Sequence, residues 1–270
     1  MPSAHIRTIP TELCRKLQFF FTDIDDTMTR DGQLPFQSLQ ALWELAGHGI
    51  QVVAVTGRPA GWCDYFARMW PLAGVIGENG ALYFSYDRTQ RKMHRRFLLG
   101  EAERSQGRQD LERIKSRVLQ EVPRCKISAD QAYRIADLAI DFCEDVDPLS
   151  KPEIEQICRI ASEEGASYKV SSIHVNCWYG NYDKVSCVKQ FLLDLSGKTL
   201  DQLQETIVFS GDSPNDEPIF KEFRHSIAVA NIRNFLEELQ HPPRYITEHE
   251  AADGFCEAVD TILQKRQQST

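Results

Sequence analysis

Two styles of hydrophobic patterning divide the chain. In the first, unbroken apolar runs alternate with helical patterns. "LQFFFT" (17–22) and "IQVVAVT" (50–56) read as buried strands, and "FQSLQALWELAGHG" (36–49) as a helix closing at Gly47 or Gly49. "PAGWCDYFARMW" opens a second helix with Pro59 in its first turn, where a missing N–H costs nothing. "GVIGENGALYF" (74–84) holds a strand, a glycine-flanked turn and another strand. Runs of Val, Ile and Phe without alternation predict strands covered on both faces, hence a parallel α/β sheet.

The middle of the chain follows the second style. After a long charged helix within "RRFLLGEAERSQGRQDLERIKSRVLQEV", apolar and polar residues alternate through "YRIADLAIDFCED" (133–145) and "SIHVNCWYG" (172–180), with a helix at 147–165 between them. Alternation predicts an antiparallel layer with helices on one side only. Leu138, Ile140, Phe142, Ile173, Val175 and Cys177 are assigned to the helix side; Asp137, Asp141, His174, Asn176 and Trp178 take the other face. From about 183 the first style returns. "DKVSCVKQFLLDL", "EPIFKEF", "IRNFLEELQ" and "GFCEAVDTILQKR" read as helices, and "TIVFSGD", "HSIAVAN" and "RYIT" as strands. The expected organisation is a Rossmann-like parallel-sheet core made of residues 1–84 and 181–270. It is interrupted by an inserted α+β cap at 85–180, and "QKRQQST" forms a frayed tail.

Bulk properties narrow the functions. A net charge of −8 and a pI near 5.4 argue against nucleic acid or a membrane surface as partner, since both call for a basic footprint. No apolar run reaches the length of a membrane span, and "MPSAHIRTIPTEL" lacks the apolar stretch of a secretory signal. The eight cysteines are scattered without a CxxC or zinc spacing, which predicts reduced, mostly buried thiols and a cytoplasmic setting.

Four short segments fall where core strands end, the place at which open α/β sheets bind ligands. They are "DIDDT" from Asp23, "TGR" (Thr56–Arg58), "DK" (Asp183–Lys184) and "GDSPND" (211–216). In that order, and over essentially the whole chain, they resemble the motifs of haloacid dehalogenase-like phosphohydrolases. The position of the insertion resembles the IIB-type cap of Cof-type and sugar-phosphate phosphatases. The resemblance implies a Mg²⁺-dependent phosphatase in which Asp23 attacks phosphorus and forms an aspartyl-phosphate. Asp25 would lend its carbonyl to the metal and its side chain as acid, then base. Lys184 would neutralise nucleophile and phosphate, Thr56 and the Gly57 N–H would bind phosphate, Asp212 would ligate the metal, and Asn215 and Asp216 would complete its shell and hold the lysine.

The chemistry is coherent on its own terms. Phosphoryl transfer needs an in-line nucleophile, a divalent cation, fixed donors and a proton for the leaving oxygen. Mg²⁺ takes a small octahedral set of oxygens including one or two carboxylates, which Asp23 and Asp212 can supply. Asp26 stands where the family commonly has Gly, and reads as a turn residue tolerant of left-handed geometry rather than a third ligand. Other assignments stay open. Arg58 either reaches substrate or is solvated, and Asn79 either touches substrate or completes a tight turn. His174, Asn176 and Trp178 form a candidate substrate face, Trp178 by stacking on a sugar or merely by packing. The expected substrate is a small phosphorylated metabolite, of the trehalose-, sucrose- or mannosylglycerate-phosphate type, handled by a monomer or homodimer. A phosphomutase of the phosphomannomutase type is the alternative enzyme; a catalytically silent metabolite-binding protein is the alternative outside enzymes.

Overall fold

The computed structural model describes residues 3–268. Its larger sheet has nine strands in the order Ala4–His5, Tyr245–Ile246, Ser226–Ala228, Ile207–Gly211, Phe19–Thr22, Gln51–Val55, Leu72–Gly77, Leu82–Asp87 and Lys92–Phe97. The first seven run parallel and the last two antiparallel. The unbroken apolar run at 19–21 has a simple cause. Phe20 packs with Leu42, Phe66, Phe255 and Ile262 on one face of the sheet, while Phe19 and Phe21 pack with Val188, Phe191 and Phe223 on the other. Both faces are covered by helices, so both parities of each central strand must be apolar.

A second sheet is antiparallel, in the order Lys126–Ile127, Asp137–Asp141, His174–Trp178, Ser167–Val170. Helices Glu101–Glu121 and Lys151–Glu163 cover one face, burying Leu111, Ile114, Ile157 and Ile160 against Leu138, Ile140, Phe142, Val175 and Cys177. Ile173 departs from its expected side. It lies just before the strand begins, is only partly buried and lines the cavity described below.

Three expectations are corrected. The large sheet continues past residue 85 through the hairpin Leu82–Asp87/Lys92–Phe97, so the chain leaves that sheet after Phe97 rather than at 84. "IRNFLEELQ" forms only a 3₁₀ turn, Ala230–Phe235, followed by irregular chain; the Pro242–Pro243 pair bars a longer helix from running on toward the next strand. Within the "QKRQQST" tail, residues up to Gln267 are helical. Lys265 donates to the carbonyls of Arg7 and Ile9, and Arg266 to those of Cys14, Arg15 and Leu17, which fasten this helix to the N-terminal segment. The last two residues of that tail lie outside the described residues.

Glu78 ties the two layers together. Its fully buried carboxylate accepts from Ala60 N–H of the core at 2.9 Å, and from Ile135, Ala136 and Asp137 N–H on the cap side at 2.9, 2.6 and 3.2 Å. Burial and neighbouring Asp137 push this carboxyl up to about 7, against the pull of the backbone donors. Next to it Gly80 has φ 101°, and a Cβ there would stand 2.1 Å from the Asp183 carbonyl oxygen. Only glycine lets this turn pack against the start of the Lys184 helix.

Candidate active site

Strands Ile207–Gly211, Phe19–Thr22 and Gln51–Val55 are adjacent and parallel, so their C-terminal ends deliver Asp212, Asp23 and the Thr56–Arg58 turn to one edge. Lys184 reaches the same edge from the first residue of helix Lys184–Ser196, which Asp183 caps by accepting from Ser186 N–H. Lys184 Nζ donates to Asp23 Oδ1 at 2.9 Å, Asp216 Oδ1 at 3.0 Å and Asn215 Oδ1 at 3.3 Å. Burial alone would lower its pKa, but Asp216 and Asp23 overcome this and raise it, so the ammonium stays charged. Burial, reinforced by Asp216 and Asp25, pushes Asp23 up to about 8 despite Lys184. Asp212 is raised for the same reasons, by burial first and then by Asp216 and Asp23.

These groups form the floor of a cavity of about 510 Å³ between the core and the cap sheet, shared by Asp23, Asp25, Lys184, Asp212 and Asn215. Gly57, Arg58 and Asn79 line it from the side, and His174 and Asn176 from the cap. Asn79 sits in left-handed backbone at φ 54°, and its buried Nδ2 finds no hydrogen-bond partner in the protein. Asp26 also adopts φ 55°; its N–H donates to Thr29 Oγ1 and its carbonyl accepts from Asn231 Nδ2, as a turn residue should.

Three expected site residues do not face the cavity. Thr56 is fully buried, with its hydroxyl accepting from Arg58 N–H at 3.0 Å, and Gly57 takes its place in the wall. Asp216 lies behind the floor, one oxygen on Lys184 and the other on Asp212 N–H at 3.2 Å. From there it supports two site residues, Lys184 and Asp212. Trp178 stacks on Tyr182 with ring centroids 5.9 Å apart and packs with Ala81 and Ala136 at the junction of the layers. Being the last residue of its strand, it shares the parity of His174 but overhangs the hinge instead of the cleft.

Sequence reasoning missed Glu144, Arg134 and Lys169. Arg58 grips Asp25 through Nε at 3.1 Å and Nη2 at 2.9 Å, and its Nη1 reaches Glu144 of the cap at 3.1 Å. Glu144 in turn stands 2.9 Å from His174 Nε2; His174 first and then Arg58 hold its carboxyl down to about 2. The turn bearing Glu144 is fixed by Asp141, which accepts from the N–H groups of Cys143, Glu144 and Asp145. Arg134 is neutralised by Asp130 and Asp137 and donates to the Gly57 carbonyl at 3.0 Å. An Asx turn after the "AID" strand was the readable signal for Glu144. Lys169 carried no such signal, because its face follows from the register of "SYKV" against "HVNCW", which only the strand pairing sets.

The donor set suits a hard cation. Asp23 and Asp212 line the same cavity, and each is raised by burial first and then by neighbouring carboxylates, a repulsion that a divalent ion would relieve. Among the described residues no group of three or more His, Cys, Asp and Glu converges as a metal site. The remaining ligands would therefore be backbone oxygens and water.

A parallel sheet whose strand ends converge on carboxylates and one lysine, roofed by an inserted sheet, defines a capped α/β core. A sequence model described as haloacid dehalogenase-like hydrolase matches residues 20–103. The phosphoglycolate phosphatase of Methanobrevibacter smithii is 25% identical over 254 residues, covering 89% of this chain and 96% of that protein. Protein 0175 of Thermoplasma acidophilum superposes with a TM-score of 0.69 at 15% identity, over 92% of this chain and 98% of that one. The sucrose-phosphatase of Synechocystis, solved with sucrose and phosphate, superposes with a TM-score of 0.58 at 17% identity, over 92% and 98%. Residues 20–103 thus resemble haloacid dehalogenase-like hydrolases, and the whole chain shares with these solved structures the fold of a parallel-sheet core carrying an inserted cap.

Proposed function

We propose that this phosphatase of the haloacid dehalogenase class hydrolyses a phosphate monoester of a small metabolite, with Asp23 as nucleophile and Mg²⁺ as cofactor. The observation that carries the reading is Lys184 bridging Asp23 and Asp216 while Asp212 opens on the same cavity. Asp23 Oδ would form the bond to phosphorus as the ester oxygen leaves, and Asp25 would give that oxygen its proton. In the second half Asp25 would take a proton from water as the water oxygen attacks phosphorus and frees Asp23. Lys184 keeps the Asp23 oxygen aimed and offsets charge throughout. Asn79 Nδ2, without a partner, and the Gly57 N–H are the donors available to the phosphate. Arg58 holds Asp25 with two nitrogens, so proton donation requires that grip to loosen. When bound by Asp23 and Asp212, Mg²⁺ supplies Lewis-acid neutralisation of the phosphate oxygens.

A sugar or glycosyl phosphate is the substrate class first expected. The sucrose-phosphatase shares the fold and the phosphoglycolate phosphatase shares the sequence, which supports a small polar ester without choosing between them. A screen of sugar, glycosyl, hydroxy-acid and nucleotide phosphates with Mg²⁺ and with EDTA tests the reading. Prompt, EDTA-sensitive release of inorganic phosphate supports it. Return of the phosphoryl group to another hydroxyl of the same sugar would mark a mutase, and failure on every member would leave a binding protein.

A further inference from the structure

Every cation lining the cavity except one is matched by carboxylates. Lys184 has Asp23 and Asp216, Arg58 has Asp25 and Glu144, and Arg134 has Asp130 and Asp137. The Lys169 ammonium has no hydrogen bond or ion pair among the described residues, yet the residue is half-buried and lines the same cavity. It belongs to the cap edge strand Ser167–Val170, directly across the ladder from Asn176, and therefore shares the cleft face of that sheet. Burial first, and then the like charge of Lys184, hold its pKa down against the weaker pull of Asp216 and Glu217. A half-buried cation that feels a second cation and makes no ion pair is unfavourable in the empty protein, and an anion in the cavity lowers that penalty.

The rest of the roof points the same way. Trp178 is withdrawn into the junction, so the cap offers no tryptophan face for a sugar ring to stack on. Beside Lys169 the cleft is lined by the polar Ser171, Ser172 and Asn176, with Val170 and Ile173 between and beside them. The transferring phosphate already has Lys184, Asn79 and the Gly57 turn on the core side. We propose that Lys169 is a specificity residue that pairs with a second negative group, a carboxylate, on the leaving portion of the substrate. The substrate class is then the phosphate monoester of a hydroxy acid or sugar acid, rather than of a neutral sugar or polyol. This inference rests on the phosphatase reading given above.

The test compares matched esters that differ in a carboxylate against a hydroxymethyl group: 3-phosphoglycerate against glycerol 3-phosphate, and 6-phosphogluconate against sorbitol 6-phosphate. Para-nitrophenyl phosphate is the control for chemistry alone. Wild-type enzyme should favour the acid of a pair by about tenfold or more in kcat/KM, the range expected of one charged contact. Lys169→Met should erase that preference through KM of the acid, leaving the neutral partner and para-nitrophenyl phosphate within about twofold, and Lys169→Arg should restore part of it. An absent acid preference, or one that survives Lys169→Met, overturns the assignment. An equal loss on all substrates overturns it too, because Lys169 would then be touching the transferred phosphate. Hydrolysis of none of the esters, para-nitrophenyl phosphate included, would instead remove the phosphatase reading, and this inference with it.

Discussion

The floor and the roof of the cavity are unbalanced in opposite senses. On the floor Asp23, Asp212 and Asp216 crowd around Lys184, and burial with mutual repulsion raises Asp23 and Asp212. On the roof the cap carboxylates are already matched: Glu144 by Arg58 and His174, Asp130 and Asp137 by Arg134. Lys169 is left over. One wall lacks a cation and the other lacks an anion. A metal ion and an ester bearing a second charge answer both deficits at once, so recognition and chemistry are separated by layer.

The floor can be broken most severely. Asp23→Asn keeps the shape and removes the nucleophile, so turnover should fall on the order of 10⁴-fold or more, with circular dichroism and melting still those of a folded protein. Steady-state assays on the best ester of the screen measure this. Turnover within tenfold of wild type would take the nucleophile role away from Asp23.

On the roof, the two ends of the strand His174–Trp178 should behave differently. Trp178→Ala removes a buried ring from the junction and should cost about 3–5 kcal/mol in urea unfolding, while the ranking of substrates stays as it was. His174→Ala instead removes a cavity-lining ring and leaves Glu144 with Arg58 alone. It should raise KM for the preferred ester by about tenfold, with a much smaller effect on para-nitrophenyl phosphate. If Trp178→Ala reorders the substrates and His174→Ala does not, the division of that strand between hinge and cleft is reversed.

A smaller effect concerns pH without metal. A carboxyl raised in the folded state holds its proton longer there than in the unfolded chain. Burial pushes folded Asp23 up to about 8 from an ordinary 3.8, so its contribution favours folding at low pH and declines as pH rises between those values. In EDTA the melting temperature should therefore fall from pH 5 to pH 8. Mg²⁺ should restore more at pH 8 than at pH 5, as calorimetry at several pH values can measure. The smallest change is expected far from the site. Arg266→Ala unties the C-terminal helix from the carbonyls of Cys14, Arg15 and Leu17, and should cost about 1–2 kcal/mol with no change in KM.

The same contrast explains what could be read from sequence. The floor was legible because each of its residues sits at or just beyond an element whose apolar pattern fixes where it ends, and adjacent parallel strands must end side by side. Asp23, Asp212 and Lys184 needed no further information. Thr56 and Asp216 were placed near the site correctly, but whether a side chain faces the cavity or the residue behind it depends on individual hydrogen bonds. On the roof, alternation gave the parity of His174, Asn176 and Trp178, but not which end of the strand overhangs the cleft. Lys169 was invisible for a related reason: its partner strand had to be known before its face could be. Glu78 was hidden because a buried carboxylate that collects backbone donors from both layers has no local sequence signature.

The most direct measurement traps the phosphoryl group on the enzyme. During turnover of the best ester, rapid quenching into borohydride reduces an acyl phosphate to the corresponding alcohol, and peptide mass spectrometry locates the reduced side chain. The expected result is reduction at Asp23 alone, appearing with substrate and absent from Asp23→Asn. Turnover that leaves Asp23 unreduced, or that marks Asp25 or Asp212 in its place, would contradict the assignment of Asp23 as the nucleophile.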